Sequence, residues 1–474
     1  PHTNQKNLQN LVNAAMYVFK KSVFSDFKIN KNNFDIAQEI FPRLLEMDKY
    51  IIGYQTVEYL KDMGTPKRLT SVENDIRNGV VEARSSRGKR QAIFLDRDGT
   101  INKENGYITS LDQFELSYSA GQAIRKINAS KYLAICITNQ PVLARGDCSY
   151  KALDEIHRKL EFLLGLEGSY LDKLYFCPHH PDSGFIGEVK ILKVACDCRK
   201  PKPGMFLAAK SALDIDLGES WMIGDRTSDL AVTKYFDGFN ALVLTGDGGR
   251  DGKYPTRPNF VANNIDHAVT FIMGSFEDHR LCANKIFEQL GTKKYIFIGG
   301  PAKSGKTTFS SLLKSFLWKI GKRAHVVELD QFMINGKKEE KEVLGRYDLD
   351  RVNMLFDSFK NESTFEYSDI SYDKLNSKII DYGLSKVELC DVIILEGIIS
   401  LELMSQFDFP NISVFVDASE SDRYERFVDK YGEKNISNEI ILEAWDQIND
   451  KEYKRIGEYK TEVNFLFNNE TFLK

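Results

Sequence analysis

Short apolar runs that stop abruptly on carboxylates or small polar residues recur along this chain. Ile93-Phe94-Leu95 runs into Asp96-Arg97-Asp98-Gly99-Thr100, Leu133-Ala134-Ile135-Cys136-Ile137 into Thr138-Asn139-Gln140, and Trp221-Met222-Ile223-Gly224 into Asp225-Arg226-Thr227-Ser228-Asp229. Further on, Tyr295-Ile296-Phe297-Ile298-Gly299 leads into a Gly-rich stretch, His325-Val326-Val327 into Glu328-Leu329-Asp330, and Val392-Ile393-Ile394-Leu395 into Glu396-Gly397. Continuous apolar runs of this length suit strands buried on both faces. Between them apolar residues return at helical spacing, at Leu153, Ile156, Leu160, Leu163 and Leu164, and again at Phe309, Leu312, Leu313, Phe316, Leu317 and Ile320. The pattern predicts an α/β chain whose units each carry a mainly parallel sheet. Carboxylates at the carboxyl ends of such strands face the crevice where ligands bind. An unpaired buried charge is costly, so something cationic or reactive is expected there.

At 474 residues the chain is too long for one ordinary core, and about three units are expected. We place them at residues 1–85, 90–275 and 276–474. Net charge of −4 and a pI near 6.1 create no global field to attract nucleic acid or an anionic membrane. No apolar run approaches membrane-spanning length, and seven cysteines in a long chain do not read as a secreted disulfide framework. A cytoplasmic enzyme is the expectation. The first residue is Pro1, which suggests a fragment with more chain upstream.

In the first unit, Leu11-Val12-Asn13-Ala14-Ala15-Met16-Tyr17-Val18-Phe19 reads as a buried strand, and 34–45 as a helix. Asn13-Ala14-x-x-Tyr17-Val18 and Asp62-Met63-Gly64-Thr65-Pro66-Lys67-Arg68 together resemble the C-terminal part of sugar-nucleotidyltransferases. That resemblance implies a metal-binding role for Asp62. The family's Gly-rich nucleotide loop is absent, so nucleotide transfer is not expected of this piece. Ser85-Ser86-Arg87-Gly88-Lys89-Arg90 reads as a solvated basic linker.

In the second unit, Asp96 and Asp98 suit a nucleophile and an acid/base with a metal between them and a phosphate, although any Asp-x-Asp-Gly-Thr can also make a turn. Asp225 and Asp229 could hold Mg²⁺, and Asp229 could equally cap a helix. Cys177-Pro178-His179 and Cys196-Asp197-Cys198 offer four ligands in two tight pairs, suited to a closed, structural zinc site. His180 is an alternate ligand, and His157 reads as a packed histidine. Arg199-Lys200 follows directly, placing two cations where a phosphate would meet them. In this order the motifs resemble haloacid-dehalogenase-type phosphatases, closest to the heptose-1,7-bisphosphate and histidinol-phosphate phosphatase branch. The resemblance implies a Rossmann-like fold with a zinc loop and an aspartyl-phosphate on Asp96. It implies that Asp98 is the acid and base, that Thr138 and Lys200 hold the phosphoryl oxygens, and that Asn139 and Arg199 lie at the substrate. Mg²⁺ would be bound by Asp96, Asp225 and the Asp98 carbonyl. Arg226 stands where family members often have Lys, which bears on substrate choice.

In the third unit, Gly300-Pro301-Ala302-Lys303-Ser304-Gly305-Lys306-Thr307 completes a P-loop between a strand and a helix. Gly300, Ser304, Gly305, Lys306, Thr307 and Thr308 would hold ATP, with Thr307 on Mg²⁺. The arrangement resembles the uridine kinase and phosphoribulokinase group. By that resemblance Asp330 is the base for the acceptor hydroxyl and Glu396 the acid near Mg²⁺. Arg346-Tyr347-Asp348 would be the acceptor segment, with Tyr347 and Asp348 at substrate. Ser421-Asp422-Arg423-Tyr424-Glu425-Arg426 would be the lid, with Arg423 or Arg426 on the ATP phosphates, although a charged solvated helix face gives the same pattern.

The reading that joins these is a multifunctional enzyme of activated-sugar supply: a phosphatase for a sugar or polyol phosphate and an ATP-dependent kinase for a small hydroxyl acceptor. Capsule or other cell-surface polysaccharide synthesis is the pathway context implied. Polynucleotide kinase-phosphatases share the pairing, but the acidic balance and the zinc loop argue against nucleic acid. Intact Asp96, Asp98, Lys200, Asp225, Lys306 and Thr307 argue against an inert scaffold.

Overall fold

The structure, a computed structural model, describes residues 13–26, 35–184, 186–334, 343–373, 378–387, 390–406, 409–432 and 438–469. Two parallel sheets dominate it. The first runs β3-β2-β1-β4-β5-β6, with β1 Gln91–Leu95, β2 Tyr132–Asn139, β3 Lys173–Cys177, β4 Trp221–Gly224, β5 Phe239–Val243 and β6 Phe260–Ala262. Chain order reverses between β1 and β4, so the crevice between their carboxyl ends is the switch point where ligands bind in such sheets. The second runs β13-β12-β7-β11-β8, with β7 Tyr295–Gly299, β8 Ala324–Glu328, β11 Val392–Glu396, β12 Asn411–Asp417 and β13 Phe465–Asn468. An antiparallel pair, β9 Phe365–Asp373 with β10 Lys378–Val387, lies between helix Leu349–Lys360 and β11 in the chain.

Period-two alternation sets the two faces of the first sheet. Ile93, Leu95, Ala134, Cys136 and Ile223 join one core, and Ala92, Phe94, Ile135, Ile137 and Met222 another. The first of these cores does not end with the first sheet. It continues through helix Ser275–Leu290 to Ile296, Ile298, Phe309 and Phe316 beneath the second sheet. Phe276 meets Trp221 at 4.9 Å and Phe316 at 5.7 Å, while Phe239 meets Phe316 at 5.5 Å. The two α/β units therefore share packed apolar surface.

The first unit departs from expectation. Residues 13–19 form no strand, and Met16 and Val18 are exposed; the first two residues of the expected strand, and Phe34, lie outside the described residues. An apolar run alone does not make a strand when no neighbouring strand takes its backbone hydrogen bonds. The helix expected over 34–45 is a short π-helix, Ile36–Ile40, followed by Phe41–Glu46. Asp62 pairs with Arg68 and accepts from Gly64 N at 2.8 Å, ahead of helix Pro66–Arg77. Arg90, expected in solvent, is buried: it donates to Leu213 O at 2.8 Å and to Glu58 at 2.7 Å, tying this unit to the next. Arg84 does likewise through a buried pair with Asp172 at 2.6 Å. Among the described residues, no helix is long and apolar enough to cross a membrane.

Candidate active sites

At the switch point of the first sheet, Asp96 follows β1 and Asp225 follows β4. Lys200 Nζ lies 2.6 Å from Asp96 Oδ1 and 2.8 Å from Asp229 Oδ1, and donates to Ile137 O at 2.8 Å. Asp96, Asp225 and Asp229 offer carboxylate oxygens within 4.8 Å of one another, all buried. Three carboxylates face one ammonium, and Asp225 Oδ1 has no hydrogen-bond partner. Burial raises Asp96; Lys200 lowers it and Asp229 and Asp98 raise it, which leaves it at about 7. Burial, with Asp96 and Asp229 close by, takes Asp225 to about 9. A cluster so short of positive charge suits a hard divalent cation. Gly99 and Gly246 have positive φ, +80 and +60, and a Cβ on either would strike the Asp225 carboxylate. Beside them opens a cleft of about 420 Å³, lined by Gly99, Lys103, Glu104, Ser117, Tyr118, Thr245 and Gly246.

Asp98 is held apart from that cluster. Arg97, fully buried, donates to both of its oxygens at 2.8 and 2.9 Å; Gln140 Nε2 lies at 2.9 Å and Asn102 Nδ2 at 3.2 Å. Burial raises Asp98, but Arg97, Gln140 and Asn102 outweigh it and hold the carboxyl below its ordinary range. His157 Nε2 accepts from Arg97 at 3.2 Å; burial and Arg97 lower it to about 3, so it stays neutral. Thr138 Oγ1 is buried and accepts from Gln140 at 2.8 Å.

Lys200 owes its place to its neighbours. Asn139 Oδ1 accepts from Lys200 N at 3.0 Å and its Nδ2 donates to Lys200 O at 3.2 Å. Just upstream, Cys177, His179, Cys196 and Cys198 converge, with Sγ–Sγ separations of 3.1 to 3.5 Å and His179 Nδ1 3.2 Å from Cys198 Sγ. Ligands ~2.3 Å from a tetrahedral ion lie ~3.8 Å apart, so a small outward relaxation of these four accepts zinc.

In the second sheet the loop after β7 turns through Gly300 (φ +143) and Gly305 (φ +98) into helix Lys306–Lys319. Lys306 Nζ donates to Pro301 O at 2.9 Å, and the buried Ser304 hydroxyl has no partner. Thr307 Oγ1 lies 3.4 Å from both oxygens of Glu396. Burial raises Glu396; Lys306 lowers it and Glu328 and Asp330 raise it, to about 8. Tyr347 OH donates to Asp330 Oδ1 at 3.1 Å. Arg426 donates to Lys303 O, Ser304 O and Asn469 O at 3.2, 3.3 and 2.8 Å, and Asn469 Nδ2 to Ser304 O at 2.8 Å. A buried oxygen-rich end and a helix N-terminus suit a nucleotide with its cation.

Comparison with known proteins gives the family of the unit that holds the first site. Over 156 residues the chain is 39% identical to the D-glycero-beta-D-manno-heptose-1,7-bisphosphate 7-phosphatase of Escherichia coli O6:H1, spanning 33% of this chain and 80% of that protein. The chain belongs to this heptose-bisphosphate phosphatase family. A family model described as HAD-hydrolase-like matches residues 197–268, and one described as an AAA domain matches 296–446. Among solved structures, D,D-heptose 1,7-bisphosphate phosphatase from B. bronchiseptica, complexed with magnesium and phosphate, is 28% identical with a TM-score of 0.35, covering 39% of this chain and 99% of that one. A possible uridine kinase from Bacillus stearothermophilus is 18% identical with a TM-score of 0.27, covering 40% and 97%.

In the heptose-bisphosphate phosphatase unit the structure brings together Asp96, Lys200, Asp225 and Asp229. Asp229, expected on the metal, gives one oxygen to Lys200 and the other to Arg226 N at 3.0 Å. Asn139, expected at substrate, spends its amide on the Lys200 backbone, and Arg199 donates to His179 O at 3.3 Å. Arg226 pairs with Asp247 at 2.5 Å and approaches Glu104 at 3.7 Å, beside the cleft. In the P-loop unit, Arg423 is buried against Tyr453 and Trp445 rather than facing the loop, at 4.6 and 5.3 Å, while Arg426 reaches the loop carbonyls. Asp348 is spent as a helix cap, accepting from Arg351 N at 3.1 Å. The sequence singled out neither Arg97, which orders Asp98 from inside the first motif, nor Asn469, which no local pattern marks.

Proposed function

We propose that this chain is a bifunctional enzyme of nucleotide-activated sugar or polyol supply, in which a Mg²⁺-dependent phosphatase and an ATP-dependent kinase share one body. The observation that carries the reading is the Asp96–Lys200–Asp225–Asp229 cluster at the switch point of a chain related to heptose-bisphosphate phosphatases. A sugar or heptose phosphate, D-glycero-β-D-manno-heptose 1,7-bisphosphate first among them, is the phosphatase substrate. The family relationship points to cell-surface polysaccharide precursors as the context.

Mg²⁺ held by Asp96, Asp225 and the Asp98 carbonyl, with Asp229 behind them, would neutralise phosphoryl charge. Asp96 Oδ attacks phosphorus, and the phosphorus–oxygen ester bond breaks. Lys200 and Thr138 hold the phosphoryl oxygens. The leaving alkoxide takes a proton from Asp98. Arg97 keeps Asp98 ionised at rest; a phosphate dianion arriving beside it favours its protonated form for this step. Asp98 then takes a proton from the water that cleaves the aspartyl-phosphate, which frees Asp96 and inorganic phosphate. Zinc held by Cys177, His179, Cys196 and Cys198 would fold the loop that delivers Lys200 and would add no chemistry of its own.

In the P-loop unit, Gly300, Ser304, Gly305, Lys306 and Thr308 would hold ATP, Thr307 and Glu396 would hold its cation, and Arg426 would approach from the lid helix Glu420–Gly432. Asp330, oriented by Tyr347, takes the proton of a small hydroxyl acceptor. The test is a panel of sugar and polyol phosphates assayed for phosphate release, and of their free forms assayed for ATP consumption, with Mg²⁺. Release from heptose bisphosphate and ATP use with a polyol or sugar support the reading. Release from no member of the panel overturns it.

A further inference from the structure

One stretch of chain, residues 245–259, runs from the first site to the second. At its start Asp247 N donates to Asp225 Oδ2 and Gly249 N to Asp225 O, both at 2.7 Å, and Thr227 Oγ1 donates to Asp251 at 2.7 Å. At its end Asn259 Nδ2 donates to Ser315 Oγ at 2.9 Å, and Ser311 Oγ donates to Pro258 O at 3.2 Å; both serines lie on the helix that follows the P-loop. Between these anchors Arg257 forms an ion pair with Glu328.

Glu328 ends β8, directly opposite Glu396 in the parallel register of β8 and β11, and two residues before Asp330. Neighbours in register present their side chains to the same face of a sheet. Two carboxylates there repel each other, and a cation on the outer one relieves that repulsion and fixes its rotamer. The P-loop unit has its own Lys306, which lowers Glu396, and the phosphatase unit adds Arg257 on Glu328.

We propose that Arg257, although carried by the phosphatase unit, is a positioning residue of the kinase site: by holding Glu328 it keeps Glu396 set for the nucleotide's cation. This rests on the kinase reading above. The phosphatase segment then contributes a charge to the kinase site beside it.

The test uses the full chain and needs no identified acceptor, because ATP hydrolysis with water as acceptor reports the site. Arg257→Ala is expected to lower the hydrolysis kcat about fivefold, the scale of a half-exposed ion pair. KM for ATP and the rate of phosphate release from heptose bisphosphate should stay near the original, and Arg257→Lys should recover most of the loss. In a Glu328→Gln background, Arg257→Ala should cost nothing more at this site, since the charge it holds beside Glu396 is gone. Equal hydrolysis by Arg257→Ala and the original chain overturns the proposal, as does a loss of the same size in the Glu328→Gln background. Either result leaves the kinase reading standing. A chain that neither binds nor hydrolyses ATP before any substitution removes the kinase reading, and this proposal with it.

Discussion

Replacing Lys200 with Met keeps the length of a buried side chain and removes its charge. In the folded protein that ammonium touches two carboxylates and a carbonyl, and lies within a cluster that already has three acids to one base. Breaking a buried pair by removing one partner costs about 3–5 kcal/mol. For a unit of this size that corresponds to a melting point lower by about 10 °C. The cost has a definite pH dependence. Asp96 and Asp225 sit at about 7 and about 9, above the ordinary carboxylate value, so the folded state holds more protons than the unfolded chain across that window. Stability from these groups is present at low pH and falls as pH rises through their folded values. The variant should therefore lose most near pH 9 and least near pH 5, where Asp96 and Asp225 are neutral. Mg²⁺ should return part of the loss by supplying the missing charge. The assay is thermal unfolding of both proteins in chelator and in Mg²⁺ across pH 5 to 9, followed by the fluorescence of Trp221 in the phosphatase core. Melting points within about 2 °C of each other at pH 9 in chelator would refute the reasoning.

Other consequences are as direct. Mg²⁺ binding near neutral pH should release protons, and apparent affinity should rise between pH 6 and pH 9, because protons on Asp96 and Asp225 compete with the cation; calorimetry in buffers of different ionisation heat measures this. Metal analysis of the purified chain should find about one zinc per molecule. Cys196→Ser should lose that zinc, and phosphate release should drop with it while ATP hydrolysis persists. Phe316→Ala empties a site shared by both units and should cost about 3–5 kcal/mol, lowering the stability of both activities together in thermal inactivation.

Legibility followed the range over which each residue acts. Strand ends are marked locally, so the places of Asp96, Asp225, Glu396 and the P-loop after their strands could be read from an apolar run and the residues after it. The α/β class and parallel sheets followed from the same runs. Roles set by a distant neighbour could not be read. Arg423 and Arg426 are alike on a charged helix, and only the packing of Trp445 and Tyr453 on one face separates them. Asp348 looks like a substrate ligand until its helix is seen. Arg90 reads as linker charge until Leu213 and Glu58 are placed around it. The run that includes Val18 has the composition of a strand, but among the described residues no strand lies beside it.

The phosphatase mechanism turns on the capture of phosphorus by Asp96. The 474-residue chain and its Asp96→Asn variant, each incubated with heptose 1,7-bisphosphate and Mg²⁺, acid-quenched and digested, should be compared by mass spectrometry alongside phosphate release. The account predicts a phosphorylated Asp96 peptide in the original protein, and neither that peptide nor phosphate release in the variant. Phosphate release by the variant at an undiminished rate would contradict it.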